Sequence, residues 1–336
     1  MRILHLLNTN KYSGAENVAC TIIKNMSNNY VTAYCSPKGP ISEKLNSENI
    51  NYYSIKKLSY WEVKKIVKKF KPDIIHAHDN RATVIASLFS KKCKIISHIH
   101  GNNSIMNYKS LKTRLFDCCS KKVDKFIWVS DSSLNDYCYK ENVINKSIVL
   151  YNTIDDKEII TKSKEFEIKQ KYDLIFLGRL AYPKNPERLI EIINIVKNKK
   201  KDITLAIVGD GVDRIKIENM VKELSLEKNV TFYAFQKNPY PFLKKSKILL
   251  LTSLYEGTPM CALEAQSLGK PIIATPVDGL KKLIINDVNG YLTDDNNLFS
   301  QKIIEFLKKD RTKEVLDIFK RNNDIEKYIE TIEKLY

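Results

Sequence analysis

Twice along this chain, over residues 2–150 and again over residues 174–292, short apolar runs alternate with amphipathic stretches, and no other feature limits the fold as strongly. A short apolar run suits a strand buried on both faces, and the amphipathic stretch after it supplies the helix that covers it. The repeating unit is strand, helix, strand, which makes the strands parallel. The first series places strands at residues 3–7, 31–35, 51–55, 73–77, 94–99, 126–130 and 147–150, with a helix over 14–26. The second places them at 174–178, 203–209, 230–234, 248–253, 271–275 and 290–292. Residues 155–171 are polar and charged, as in a linker with a short helix, and residues 297–336 space Ile, Leu and Phe helically, as in two or three closing helices. The expected class is α/β, with two doubly wound, Rossmann-like parallel sheets. The chain divides into a first domain over residues 1–152, a linker over 153–171 and a second domain over 172–323.

Composition narrows the class further. With 336 residues, 43% of them hydrophobic, the chain can build two cores and is not disordered. No apolar run reaches the roughly 20 residues that span a bilayer, and MRILHLLN enters a strand pattern without the layout of a signal peptide, so a cytoplasmic protein is expected. The 7 cysteines lie mostly in apolar elements and lack C-x2-C spacing, which argues against disulfide frameworks and zinc sites. A formal charge of +17 fits nucleic acid, an anionic membrane surface, a polyphosphate substrate or a lysine-rich solvated surface.

The densest chemistry lies in Glu256-Gly257-Thr258-Pro259-Met260-Cys261-Ala262-Leu263-Glu264. Thr258 is a candidate helix cap and Pro259 fits a first helical turn, so the amides of Met260 and Cys261 face an anion-friendly end. Glu256 precedes that helix and Glu264 lies about one and a half turns inside it. Two carboxylates around an open helix start suit a phosphorylated sugar, one acid taking ribose hydroxyls and the other sugar hydroxyls. Ligands of such sheets bind beyond the strands' carboxyl ends. There Gly178-Arg179-Leu180-Ala181-Tyr182-Pro183-Lys184 brings a guanidinium and an ammonium that would grip a diphosphate. Gly209-Asp210-Gly211 reads either as a backbone approach to a nucleotide or as a plain turn. Gly14, after Ser13, opens a helix towards phosphate or acceptor, or makes a tight turn. His76 and His78, and His98 and His100, form two same-face pairs at strand ends; they read as buried hydrogen-bonded rings or as metal ligands whose third partner has no source beyond Asp79. His100, just before Gly101, is the member placed to reach a ligand.

In their order along essentially the whole chain these motifs resemble the retaining glycosyltransferases of family 4, which have the GT-B fold. The Glu-x7-Glu element is the specific part of the likeness. The resemblance implies that Glu264 binds the nucleotide ribose, that Glu256 lies by the donor sugar, and that the amides across Gly257, Thr258, Met260 and Cys261 bind sugar and phosphate. It assigns the diphosphate to Arg179 and Lys184, a contact with the donor sugar near the reacting carbon to His100, and a contact with phosphate to Gly14. Asn152 matches the residue that ends the first domain, and residues 324–336 match a terminal helix that crosses back to it. The implied fold sets the two domains facing across a cleft, the first on the acceptor side and the second holding the donor. The family often has two glycines where this chain has Ser13-Gly14, and the C-terminus is short.

The implied reaction moves a hexosyl unit from a nucleotide diphosphate sugar, expected to be a UDP-sugar, to an acceptor hydroxyl with anomeric configuration kept. No metal and no cofactor are expected. No Asp-x-Asp pair occurs in the chain, so protein groups must meet the phosphate charge. Either the leaving phosphate takes the acceptor proton on the same face, or Glu256 acts as a covalent nucleophile. Glu16 and Asp79 are acceptor-side candidates. The expected acceptor is a saccharide or polyprenyl-linked oligosaccharide of a surface polysaccharide. Residues 105–125, which mix Met, Tyr, Leu and Phe with cations, are either a surface that docks on anionic lipid or a core-facing helix with a basic outer side, and residues 61–71 offer a second such stretch. Two other functions stand beside this one, a sugar-nucleotide epimerase of the same architecture and a nucleic-acid-binding protein. The second lacks basic-aromatic motifs, and nucleic acid is not an expected partner.

Overall fold

The computed structural model describes residues 1–11, 13–101 and 104–336; Tyr12, Asn102, Asn103 and the side chains of Ser104 and Ile105 lie outside the described residues. Contacts divide the chain into two units, Met1–Thr153 with Ile325–Tyr336, and Ile154–Asp324.

In the first unit the strands are β1 (Arg2–Leu6), β2 (Val31–Pro37), β3 (Tyr52–Ile55), β4 (Ile74–Ala77), β5 (Lys94–Ile99), β6 (Lys125–Trp128) and β7 (Ser147–Val149). They are all parallel, in the order β3-β2-β1-β4-β5-β6-β7. The central strands are apolar on both faces, as a sheet covered by helices on each side requires: Ile3, Leu4 and Leu6 of β1 and Ile75 of β4 are fully buried. The covering helices start where the sequence offers caps. Ser59 accepts from the Glu62 N–H to open Tyr60–Phe70, and Asp79 accepts from the Ala82 N–H to open Asn80–Ser87. Ile325–Glu333 packs on this unit, where the Glu333 carboxylate accepts from the Ser27 N–H.

The second unit carries β8 (Tyr172–Leu177), β9 (Leu205–Val208), β10 (Val230–Tyr233), β11 (Ser246–Leu251), β12 (Ile272–Ala274) and β13 (Gly290–Leu292), parallel in the order β10-β9-β8-β11-β12-β13. The expected α/β class with two doubly wound sheets is what the structure contains. In both sheets the strand order reverses direction beside the first strand, between β1 and β4 and between β8 and β11, and open sheets of this kind hold their ligands beyond the carboxyl ends at that point. Residues 154–171 lie with the second unit: Ile154 and Ile159 join its core, and Asp156–Lys162 is a helix capped by Asp155. The closing segment is helical at Asn296–Leu307, Thr312–Asn322 and Ile325–Glu333.

Candidate active site

At the carboxyl end of β8 the chain turns through Gly178–Asn185 into the helix Pro186–Lys199. Asn185 sits in the left-handed region (φ 50°), which Asn tolerates better than most residues, and Pro186 fits the first helical turn. Thr252, just past β11, ties this turn down by donating its hydroxyl to the carbonyls of Lys184 (3.0 Å) and Asn185 (2.9 Å). The Leu254 N–H donates to the Pro183 carbonyl at 2.9 Å. Lys184 is thereby delivered to Glu256, with which it forms an ion pair, and the Ser253 hydroxyl donates to the same carboxylate oxygen at 2.7 Å. Burial alone would pull the Lys184 ammonium down, but the Glu256 carboxylate beside it outweighs burial and holds its pKa above the ordinary value. Arg179 stays exposed on the same turn.

Gly209 and Gly211 support that turn. A Cβ on Gly209, whose φ is +139°, would lie 2.0 Å from the Gly178 carbonyl oxygen, and one on Gly211 would lie 2.1 Å from that of Leu180. The Leu180 N–H donates to the Asp210 carbonyl and the Asp213 N–H to the Leu180 carbonyl, both at 3.0 Å. The close approach at both glycines of Gly209-Asp210-Gly211 is made by the protein's own backbone.

The helix after β11 runs Met260–Ser267 and begins later than expected. Pro259, with extended backbone (φ −70°, ψ 116°), holds the cap position assigned above to Thr258, and its side chain can offer no cap hydrogen bond. The first-turn amides of Met260 and Cys261 therefore receive no cap hydrogen bond from the residue at the cap position. Thr258 is buried one residue ahead, and Gly257 is wedged: a Cβ on Gly279 would lie 1.2 Å from the Gly257 carbonyl oxygen. Burial pushes the Cys261 thiol up to about 12. Glu264, 7% exposed, points its carboxylate to the Tyr240 hydroxyl at 3.2 Å. Burial pushes its pKa up to about 7, against a smaller downward pull from that hydrogen bond. The second sheet thus gathers Arg179, Lys184, Glu256, Gly257, Thr258, Met260, Cys261 and Glu264 on the turns and helix that follow β8 and β11. Gly279, Ser253 and Tyr240 were not picked out from the sequence. Gly279 had only its place in a Val-Asp-Gly-Leu turn as a signal.

In the first unit the chain's 5 histidines converge. His5, which the sequence reading passed over, is in direct register with His76 across β1 and β4. His5 Nδ1 is 2.9 Å from His78 Nε2, His78 Nδ1 is 2.9 Å from His100 Nε2, and His76 Nδ1 is 2.7 Å from the Tyr336 hydroxyl. Ring nitrogens of His5, His76 and His78, and of His78, His98 and His100, come within 4.8 Å of one another, so the third ligand that the sequence lacked is supplied by another histidine. Burial lowers all five, His5 and His100 to about 3 and the others well below their ordinary value, so the rings are neutral. Asp79 accepts from the Asn8 and Ala82 N–H groups, while Glu16 accepts from the Thr9 and Ser13 hydroxyls, so both carboxylates brace the segment between β1 and the helix Gly14–Asn25. Gly14 is the first residue of that helix, and Ser13 is its cap.

The model of the family described as "Glycosyl transferases group 1" matches residues 157–330, and that of "Glycosyltransferase Family 4" matches residues 12–158. The chain belongs to the group 1 glycosyl transferases. This glycosyltransferase is 29% identical over 285 residues to the uncharacterized glycosyltransferase MJ1178 of Methanocaldococcus jannaschii, covering 81% of this chain and 77% of that one. Against the UDP-Gal:alpha-D-GlcNAc-diphosphoundecaprenol alpha-1,3-galactosyltransferase of Escherichia coli it is 24% identical over 324 residues, 87% and 82% of the two chains. Among solved structures, Anabaena Alr3699/HepE in complex with UDP-glucose superposes with a TM-score of 0.85 at 21% identity, covering 99% of this glycosyltransferase and 98% of that chain. Its two parallel-sheet units are of the GT-B class.

Proposed function

We propose that this glycosyltransferase moves a hexosyl unit from a UDP-sugar to a hydroxyl of a saccharide acceptor, lipid-linked and part of surface polysaccharide synthesis, with anomeric configuration retained and without a metal. The observation that carries the reading is the Lys184–Glu256 pair, set beside the start of Met260–Ser267 where the second sheet reverses its strand order. In this reading the donor diphosphate lies against Arg179, Lys184 and the amides of Met260 and Cys261, and the ribose lies against Glu264. The bond between the anomeric carbon and the diphosphate breaks, a bond to the acceptor oxygen forms, and the leaving phosphate oxygen takes the acceptor proton. The cations and helix amides meet the charge that develops on the diphosphate. Glu256 orients Lys184 and the donor sugar; its engagement with Lys184 and Ser253 favours that role over attack on the sugar. Gly14 and His100, at the carboxyl edge of the first sheet, take phosphate or saccharide oxygens.

The Escherichia coli relative, named for a UDP-Gal donor and an alpha-D-GlcNAc-diphosphoundecaprenol acceptor, and the Anabaena neighbour in complex with UDP-glucose support this choice of substrates. A peripheral position at an anionic membrane surface belongs to the same reading. The test is a panel of UDP-, GDP- and ADP-sugars scored by thermal shift and by transfer to a lipid-linked saccharide, with the product anomer read by NMR. A UDP-sugar should stabilise the protein and transfer with retention. Lys184→Ala should lower turnover roughly ten- to hundredfold, the worth of one charge-assisted hydrogen bond. Inversion of the anomer, a requirement for added divalent cation, or a Lys184→Ala variant of wild-type rate would defeat the reading.

A further inference from the structure

Three of the five histidines form a file in which the rings meet end to end. For both His5–His78 and His78–His100 the ring centroids are 5.2 Å apart while the facing nitrogens are 2.9 Å apart, a difference of about one ring's width, and the planes differ by 28° and 12°. That is the geometry of an in-line N–H···N hydrogen bond between nearly coplanar rings. The other two rings lie face to face on the file, His76 on His78 with centroids 4.3 Å apart and His98 on His100 at 4.0 Å. Both nitrogens of His78, which each candidate triad shares, are thus engaged by His5 and His100.

A neutral imidazole has one N–H and one lone pair, so the file admits two proton arrangements only. In one, His5 Nδ1–H donates to His78 Nε2, His78 Nδ1–H donates to His100 Nε2, and His100 is left with its proton on Nδ1. In the other every bond is reversed, and the spare N–H is on His5 Nε2. The two ends differ in their surroundings. His5 is fully buried and its Nε2 has no hydrogen-bond partner, so a proton there is an orphaned donor deep in the sheet. His100 follows β5 at the carboxyl edge and is partly exposed as a residue, next to Gly101, around whose Cβ position no atom comes within 4 Å; its Nδ1, like His5 Nε2, is itself covered and has no hydrogen-bond partner among the described residues. Of the two unpartnered ends, the His100 end belongs to the residue that is partly exposed at the carboxyl edge, where an incoming ligand supplies the acceptor, while His5 is fully buried.

We propose that His78 and His5 are positioning residues for His100: their hydrogen-bonded file locks it as the Nδ1–H tautomer, so that it meets a saccharide oxygen as a donor. The class of ligand rests on the transfer reading above; the tautomer does not, and it is measured without ligand. The experiment is a long-range 15N–1H spectrum of metal-stripped protein labelled with 15N-histidine, with His100 assigned by its loss in His100→Gln. Wild type should show a protonated Nδ1 and a bare Nε2 at His100. His78→Phe should mix or reverse that tautomer and lower turnover by about tenfold, the worth of one hydrogen bond, with donor KM changed less than about twofold. His78→Gln, whose amide N–H can donate to His100 Nε2, should restore the tautomer and most of the turnover. A protonated Nε2 in wild type, an unchanged tautomer in His78→Phe, or stoichiometric zinc capture that shifts all five rings would overturn the proposal. Should His78→Phe not fold, the wild-type spectrum alone decides. The expected tautomer in a protein that transfers from no nucleotide-sugar would leave the file standing and sink the function.

Discussion

A carboxylic acid poised near neutrality is a pH-dependent ligand for a hydroxyl. Glu264 is raised to about 7 chiefly by burial, so below that pH the empty site holds it protonated. A sugar nucleotide whose ribose hydroxyls donate to its carboxylate must first expel that proton, so donor affinity should fall by roughly tenfold per pH unit below about 7 and level off above it. Calorimetry with the best UDP-sugar between pH 5.5 and 8.5 reads this directly, and Glu264→Gln should bind more weakly at pH 8 and show a flat profile. A sloping profile in the Gln variant would place the titration elsewhere. The same shift acts on stability with a defined sign. Because the folded pKa is raised, the contribution of Glu264 is fully present below its ordinary carboxyl value and is lost as pH rises through about 7. Glu264 was legible in sequence by its spacing from Glu256; its protonation was not, since the burial that raises its pKa comes from tertiary packing and the Tyr240 hydroxyl that opposes it lies 24 residues away.

Among the elements, the short helix Asp278–Lys281 has a steric duty: its Gly279 lets the Gly257 carbonyl pass where a side chain would stand. Gly279→Ala puts a methyl 1.2 Å from that oxygen, a distance no rotamer relieves, so the Glu256–Thr258 turn must shift. A displacement of about an ångström in a positioning element costs on the order of a hundredfold in turnover, and we expect that loss with a far-UV spectrum close to wild type. A variant of wild-type rate would show that the turn is free to move. The elements themselves were readable. Apolar runs located every strand of both sheets to within about two residues at most ends, because a buried parallel strand must be apolar on both faces. What joins elements was not readable. Gly209, Gly211 and Gly279 accommodate carbonyls from distant turns, and His5 reaches His78 only through the β1–β4 register, so no local pattern announces either.

Across the whole molecule the net charge of +17 supplies attraction without an address, and the helix Leu111–Ser120 gives it one. Thr113 and Phe116 face inward, while Leu111 (85% exposed) and Leu115 (56%) stand outward among Lys109, Lys112 and Arg114, with Tyr108 beside them. Of the two readings of residues 105–125, this face favours the lipid surface, because two leucines with nothing to cover them gain by entering the headgroup boundary while the cations stay outside. Ile105 lies outside this account. Among the described residues no helix is long and apolar enough to cross a membrane. Vesicles of phosphatidylglycerol and phosphatidylcholine should sediment the protein at low salt and release it as salt shortens the reach of the charges. Leu111→Ser with Leu115→Ser should bind roughly tenfold more weakly or worse, given about 1.5–3 kcal/mol for a fully buried leucine, and should transfer normally to a water-soluble acceptor. Retention of that double variant would remove the helix from the reading.

The grouping of Ile325–Tyr336 with Met1–Thr153 also sets an order of events during synthesis. Ile325–Tyr336 leaves the ribosome after all of Ile154–Asp324, yet it supplies the hydroxyl that His76 uses and the carboxylate that binds the Ser27 amide. The second unit can close as soon as its own residues emerge, whereas the first, although translated earlier, must wait for residues 325–336 to complete its packing. A nascent chain stalled before residue 325 would leave His76 without the Tyr336 hydroxyl and Tyr30 without the Tyr336 ring that meets it edge-on in the finished protein.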